Sequence, residues 1–235
     1  MMKSLFKKVI LGIVFAISCG MFGVAEAQHA AQPKTFKLVV FGDSLSAGYR
    51  LPQNQSFASQ LQSQLYKLGY LNVNVINHSR SGETTGGGLK RLPAILKKEK
   101  PNGLILELGI NDVFRGYSVT EAENNLSKMI ELCQKNDVSV LLVGMQAPPY
   151  ASIIYQQKFG KMYETLAQKY NLLLYPFFMK GLIAMENGSV QSKGDYMLGD
   201  KIHPNTNGVS LMVKNIMPYV AEFLKENKIL PKRYR

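Results

Sequence analysis

Five short apolar runs, at 36–41, 73–77, 104–108, 138–143 and 172–175, alternate along the chain with longer stretches whose apolar residues recur at helical spacing. Phe57, Leu61, Leu65 and Leu68 form one such stripe before Gly69, and Ala122, Leu126, Met129 and Cys133 form another. Tyr155, Phe159, Met162, Tyr163 and Leu166 make a third, and Val209, Met212, Val213, Ile216, Val220 and Phe223 a fourth. The stretch 89–100 reads as helical too, shortened or bent by Pro93. Strands that are almost continuously apolar, each followed by a helix, need cover on both faces of a parallel sheet. The expected fold is therefore α/β: a three-layer α/β/α sandwich around a five-stranded parallel sheet. With 46% of 235 residues hydrophobic, the span 36–230 suffices for one domain.

The start of the chain reads differently. Lys3, Lys7 and Lys8 precede an apolar run that ends near Val24, and Ala25-Glu26-Ala27 follows. Basic start, apolar middle and small residues at an A-x-A site describe a secretory signal peptide over 1–27, with 28–35 as a polar leader. The run is marginal for a membrane anchor and is interrupted by Ser18, Cys19 and Gly20. Cys19 does not suggest lipidation, because Ala16-Ile17-Ser18 precede it and apolar residues follow. The expectation is export to the periplasm or medium after cleavage near Ala27.

Cleavage would leave a basic chain, whose formal charge before processing is +12. Such charge favours transient contact with anionic membrane surfaces but does not define chemistry. Basic residues form no long block, so nucleic acid is not an expected partner. Cys133 would be the only cysteine after cleavage, at a helical core position, and no Cys or His cluster has metal-ligand spacing. No metal and no cofactor are expected.

In open parallel sheets ligands bind beyond the carboxyl ends of the strands, so the residues after each strand carry the chemistry. The first strand is followed by Gly42-Asp43-Ser44, the second by a segment carrying His78 and Gly82, and the third by Gly109-Ile110-Asn111-Asp112. Ser44 offers a hydroxyl, Gly82 an unobstructed backbone N–H and Asn111 an amide donor. Ester hydrolysis needs a nucleophile, a base, a group to orient the base and donors for the oxyanion. Of three histidines, His29 adjoins the cleavage site, and His78 follows the second strand, where it either faces the site or is a hydrogen-bonded structural residue. His203 lies in "GDKIHPN", with Asp200 three residues before it and Pro204 restraining the backbone after it. Asp195 is a more distant carboxylate without so local a route to the ring.

These blocks in this order resemble the SGNH (GDSL) hydrolase superfamily, and within it the bacterial multifunctional acyl-CoA thioesterase/lysophospholipase/arylesterase group. The matching stretches are "FGDSLSAGYR", "SGETT", "GLKRLPAIL", "LELGINDVFRG", "YPFFM" and "DKIHPN". The resemblance implies a flavodoxin-like sheet, Ser44 as nucleophile, Asp200 and His203 as its triad partners, and an oxyanion hole from Ser44, Gly82 and Asn111. Many relatives carry Gly-Gly-Asn-Asp-Gly where this chain has Gly109-Ile110-Asn111-Asp112-Val113. Branched Ile110 and Val113 should stiffen the loop after Asn111. Neither a G-x-S-x-G elbow nor a phosphate loop ending in Lys-Ser or Lys-Thr is present.

The expected activity is a serine esterase acting on fatty-acyl esters and thioesters, with lysophospholipids among its substrates. Ile110, Val113, Phe114 and Phe178 are the candidate acyl-chain contacts; Phe177, Phe178, Leu182 and Ile183 would alternatively cover the sheet. A carbohydrate O-acetyl esterase with a short polar pocket, or a non-catalytic lipid-binding protein, are the competing expectations.

Overall fold

The computed structural model describes residues 35–186 and 189–232. The proposed signal peptide and most of the leader, with His29, lie outside them. The chain runs β1 (Phe36–Gly42), α1 (Ser44–Ala47), α2 (Phe57–Lys67), β2 (Val73–Asn77), α3 (Thr85–Glu99), β3 (Gly103–Glu107), α4 (Ile110–Phe114) and α5 (Val119–Lys135). It continues through β4 (Ser139–Val143), α6 (Ile153–Tyr170), β5 (Leu173–Tyr175), a hairpin of β6 (Ile183–Glu186) and β7 (Ser189–Ser192), and α7 (Thr206–Glu226).

All five expected strands form within a residue or so of their expected bounds. They make one parallel sheet in the order β2-β1-β3-β4-β5. Helix α3 packs on α5 and α5 on α6, while α2 packs on α7, giving the two helical layers. Leu38, Val39, Val40 and Phe41 of β1 and Leu104, Ile105 and Leu106 of β3 are fully buried between them. Near-continuous apolar strands follow from this, since neither face of the central sheet meets water. The chain leaves β1 toward β2 on one side and later pairs β3 on the other, so strand order reverses at the β1/β3 boundary. That crevice is where an open α/β sheet binds ligands.

The structure differs from the expectation at three places. Helix α3 is neither short nor confined to 89–100: it starts at Thr85, capped by the Thr84 hydroxyl that accepts from Gly87 N, and passes through Pro93. Its glycines permit close packing, because a Cβ on Gly88 would stand 2.6 Å from Leu108 Cδ1. The stretch from Ile110 to Phe114 is a short helix rather than loop, with Val113 buried in the core. The β6–β7 hairpin was not legible, since Gly181 and Gly188 punctuate a segment with little alternation.

Candidate active site

Ser44 is the first residue of α1, directly beyond β1. Asp43 caps this turn: its Oδ1 accepts the Leu45 N–H at 2.9 Å, which forces the chain to bend as it leaves the strand and lifts Ser44 out at the sheet edge. Gly42 pairs across the sheet with Glu107, and a Cβ there would fall 2.4 Å from Glu107 Oε2 and 2.2 Å from Ser46 Oγ. The small residue before Asp43 thus makes room for the Glu107 carboxyl group, which accepts from Ser46 Oγ at 2.8 Å and Asp43 N at 3.3 Å. Burial raises the Glu107 carboxyl well above the ordinary range, and the charge of Asp43 adds to the effect. Burial also raises Asp43, against hydrogen bonds from Leu45 and Asn111.

Beyond β2 the chain stays on β1. Arg80 N donates to Gly42 O at 2.9 Å, which brings Gly82 alongside Ser44. Gly82 has φ +75°, and a Cβ there would approach only Arg115 Nη2, at 4.0 Å. Space is therefore available, and glycine is favoured by the left-handed backbone. The loop is fastened from behind by Asp112, buried in α4, which accepts from Thr85 N at 2.9 Å and Thr85 Oγ1 at 2.6 Å.

Beyond β3, Gly109 has φ +134° and lies under Tyr163, whose hydroxyl donates to Leu108 O at 2.9 Å. This sharp turn sends Asn111 back toward β1, where its Nδ2 donates to Asp43 Oδ2 at 3.0 Å. One amide hydrogen is committed there, and among the described residues the other has no partner.

The third component comes from the far end of the chain. Leu198 N donates to His203 O at 2.8 Å and Asn205 N to Tyr196 O at 2.9 Å, closing the segment into a tight loop ahead of α7. Within it Asp200 Oδ1 accepts from Ile202 N and His203 N, both at 3.0 Å. Burial opposes ionisation of Asp200, but these amide bonds, together with the His203 ring, outweigh it and bring its carboxyl down to about 2. An ionised carboxylate only accepts, so His203 Nδ1 must donate to Asp200 Oδ2, at 2.9 Å. In the neutral ring Nε2 is then the acceptor, and the Ser44 hydroxyl donates to it at 2.9 Å. Tyr49 packs on the imidazole, with ring centroids 4.3 Å apart.

Ser44, Gly82, Asn111 and His203 line a single cavity of about 580 Å³. Ile110 and Phe114 line it as well. Val113 and Phe178 do not: Val113 is turned into the core, and Phe178 is fully buried with its edge on the Phe57 ring, 5.0 Å between centroids. The stretch from Tyr175 to Ile183 divides, since Phe178 and Leu182 are fully buried in the core while Met179 and Ile183 line the cavity. Met145, Pro148, Tyr150 and Ile202 complete its apolar wall. They come from loops whose course no local pattern announces. Two histidine and carboxylate alternatives drop out: His78 Nε2 pairs with Glu99 Oε1 at 3.0 Å, and Asp195 is not among the partners of His203. Burial pushes the Cys133 thiol up to about 12, as suits a core residue.

A hydroxyl, imidazole and carboxylate in series, with amide donors beside the hydroxyl, on a parallel sheet with helices on both faces, define the class as a carboxylic ester hydrolase. The GDSL-like Lipase/Acylhydrolase family model matches residues 40–211, and the chain belongs to that family. It is 36% identical over 200 residues to an arylesterase of Vibrio mimicus, covering 85% of this chain and 92% of the relative. Against the Escherichia coli K12 thioesterase 1/protease 1/lysophospholipase L1 it is 31% identical over 187 residues, 80% of each chain. Among solved structures, the crystal structure of TesA superposes with a TM-score of 0.73 at 34% identity, over 80% of this chain and 99% of that one.

Proposed function

We propose that this protein hydrolyses fatty-acyl esters and thioesters, lysophospholipids among them, through an acyl-Ser44 intermediate. The carrying observation is the unbroken series of 2.9 Å hydrogen bonds from Ser44 through His203 to Asp200, opening into an apolar cavity. His203 Nε2 takes the Ser44 proton as Oγ attacks the acyl carbon, and Asp200 stabilises the imidazolium that forms. The Ser44 and Gly82 amides and the free hydrogen of the Asn111 amide receive the oxyanion. His203 then returns its proton to the departing alcohol or thiol. In the second half, water loses a proton to Nε2 as it attacks the acyl carbon, and Nε2 gives that proton to Ser44 Oγ as the acyl–oxygen bond breaks and the acid leaves.

A cavity of about 580 Å³ walled by Ile110, Phe114, Met145 and Met179 suits an acyl chain. It supports the fatty-acyl reading over a carbohydrate O-acetyl esterase, for which a short polar pocket would serve. The basic start, apolar run and A-x-A site of 1–27 support export, with cleavage near Ala27 and 28–35 as leader to a single hydrolase domain. An exported enzyme meets lipid esters rather than acyl-CoA. The test is hydrolysis of p-nitrophenyl esters from acetate to palmitate, beside Ser44→Ala. Activity that rises with chain length and is lost in the variant is expected; acetate-only activity would refute the acyl-chain reading.

A further inference from the structure

We infer that the rim of the cavity docks on an anionic lipid surface and takes its acyl substrate directly from it. The inference rests on the ester-hydrolase reading above for its substrate, but the docking surface is defined independently of the triad. Phe114, Tyr150, Ile153, Ile154 and Ile202 are exposed to between 51% and 73%. Single exposed apolar residues are ordinary on any protein surface. Here they come from separate segments and meet at one opening: Phe114 from the end of α4, Tyr150 from the loop before α6 and Ile202 from the His203 loop all line the cavity. Ile153 and Ile154 start α6 three residues after Tyr150, outside the cavity wall. Exposed Tyr117 is joined to the same helix by the Tyr155 hydroxyl, which donates to Tyr117 O at 2.8 Å. A rim that costs solubility and contributes little to the core marks an interaction surface.

Charge identifies the occupant. Arg115 follows Phe114, Lys201 precedes Ile202, and the Arg50 guanidinium lies 5.1 Å over the ring of Tyr49, itself a cavity residue. Among the described residues none of the three forms an ion pair. The carboxylate nearest in sequence, Asp200, is engaged by His203 and two amides. Apolar groups fringed by uncompensated cations are complementary to acyl tails beneath anionic head groups. A second copy of the chain would bring like charges together across the same contact. Near an anionic leaflet each such cation is worth about five-fold in partition, so three amount to roughly a hundred-fold. With the rim seated in the head-group layer, an acyl chain passes into the cavity without crossing water.

The experiment is co-sedimentation of the mature protein with phosphatidylcholine vesicles, with and without 30% phosphatidylglycerol, for wild type and an Ile153→Ser/Ile154→Ser variant. Hydrolysis of soluble p-nitrophenyl acetate is measured in parallel, and sedimentation velocity without lipid. Expected are binding to the anionic vesicles that salt reverses, binding at least about ten-fold weaker in the variant, and equal hydrolysis of the soluble ester by both. Equal partition of wild type and variant, or no preference for anionic vesicles, would overturn the docking surface even if both proteins are active. A wild-type dimer that the double substitution converts to monomer would also overturn it, assigning the rim to self-association. Loss of ester hydrolysis in Ser44→Ala tests the catalytic reading separately, because vesicle binding does not require turnover.

Discussion

Replacing Asn111 by Ala tests whether its side chain serves the proposed oxyanion hole as well as the bond to Asp43. One hydrogen of Asn111 Nδ2 is given to Asp43 Oδ2 at 3.0 Å, and the other remains available at the wall of the cavity. Removing an oxyanion donor costs about 2.7–4 kcal/mol of transition-state stabilisation, or about 10²–10³ in kcat. Removing the bond to Asp43 strips a partner from a fully buried carboxyl group, which costs about 1–3 kcal/mol of folding stability. For a domain of this size each kcal/mol moves Tm by about 2–4 °C. The assay is kcat and KM on p-nitrophenyl butyrate beside a thermal melt. A lowered Tm with kcat within about three-fold of wild type would make Asn111 a prop for Asp43 and remove it from the oxyanion hole. A raised KM with unchanged kcat would likewise refute the argument, since it would mean uniform binding rather than transition-state stabilisation.

Three further outcomes follow from the same geometry. Gly109→Ala places a Cβ at φ +134° and 2.4 Å from the Tyr163 hydroxyl, so urea unfolding should show a loss of about 3 kcal/mol or more; a loss below about 0.5 kcal/mol would contradict the packing described. Asp200 is held at about 2 against an ordinary value of 3.8, so the carbon-13 shift of its carboxyl group should stay at its ionised value as pH falls through 3.8; a midpoint at the ordinary value would refute the hydrogen bonding described for it. Glu107 holds its proton more tightly folded than unfolded, so its contribution to stability is full below the ordinary value of 4.5 and is lost as pH rises through the raised folded value. Glu107→Gln should therefore flatten the decline of stability with pH, read from urea midpoints across the range, and an unchanged slope would place the titration elsewhere.

Some of this was legible because the relevant forces are local. Apolar runs of strand length and stripes at helical spacing report which backbone can bury them, and all five sheet strands were found that way. The Asp200–His203 pair was legible because three residues and a turn determine how far apart the two side chains can stand. The buried carboxyl groups beside Ser44, those of Asp43 and Glu107, carried one signal: Glu107 is the lone charge in the apolar run 103–108. The sequence left Phe178 open between acyl contact and buried residue, because aromatic character does not reveal which face of a segment turns inward. Met179 and Phe178 are adjacent, and only tertiary packing, with Phe178 against Phe57 of α2, decides that one is buried in the core while the other meets the cavity.

By itself the sequence determined the layered α/β class, the hydroxyl after the first strand and the local pairing of His203 with Asp200, since each rests on periodicity or on contacts a few residues apart. Tertiary structure alone decided that Ser44 and His203, 159 residues apart, stand 2.9 Å from each other. It also decided that Asn111 shares its amide with Asp43, and that exposed apolar groups from separate segments meet at one rim. Those relations depend on strand order, on the register that sets Gly42 beside Glu107, and on how loops of no fixed pattern settle over the sheet edge. None of these is encoded within a window of neighbouring residues, because each is fixed by burial of the whole core at once.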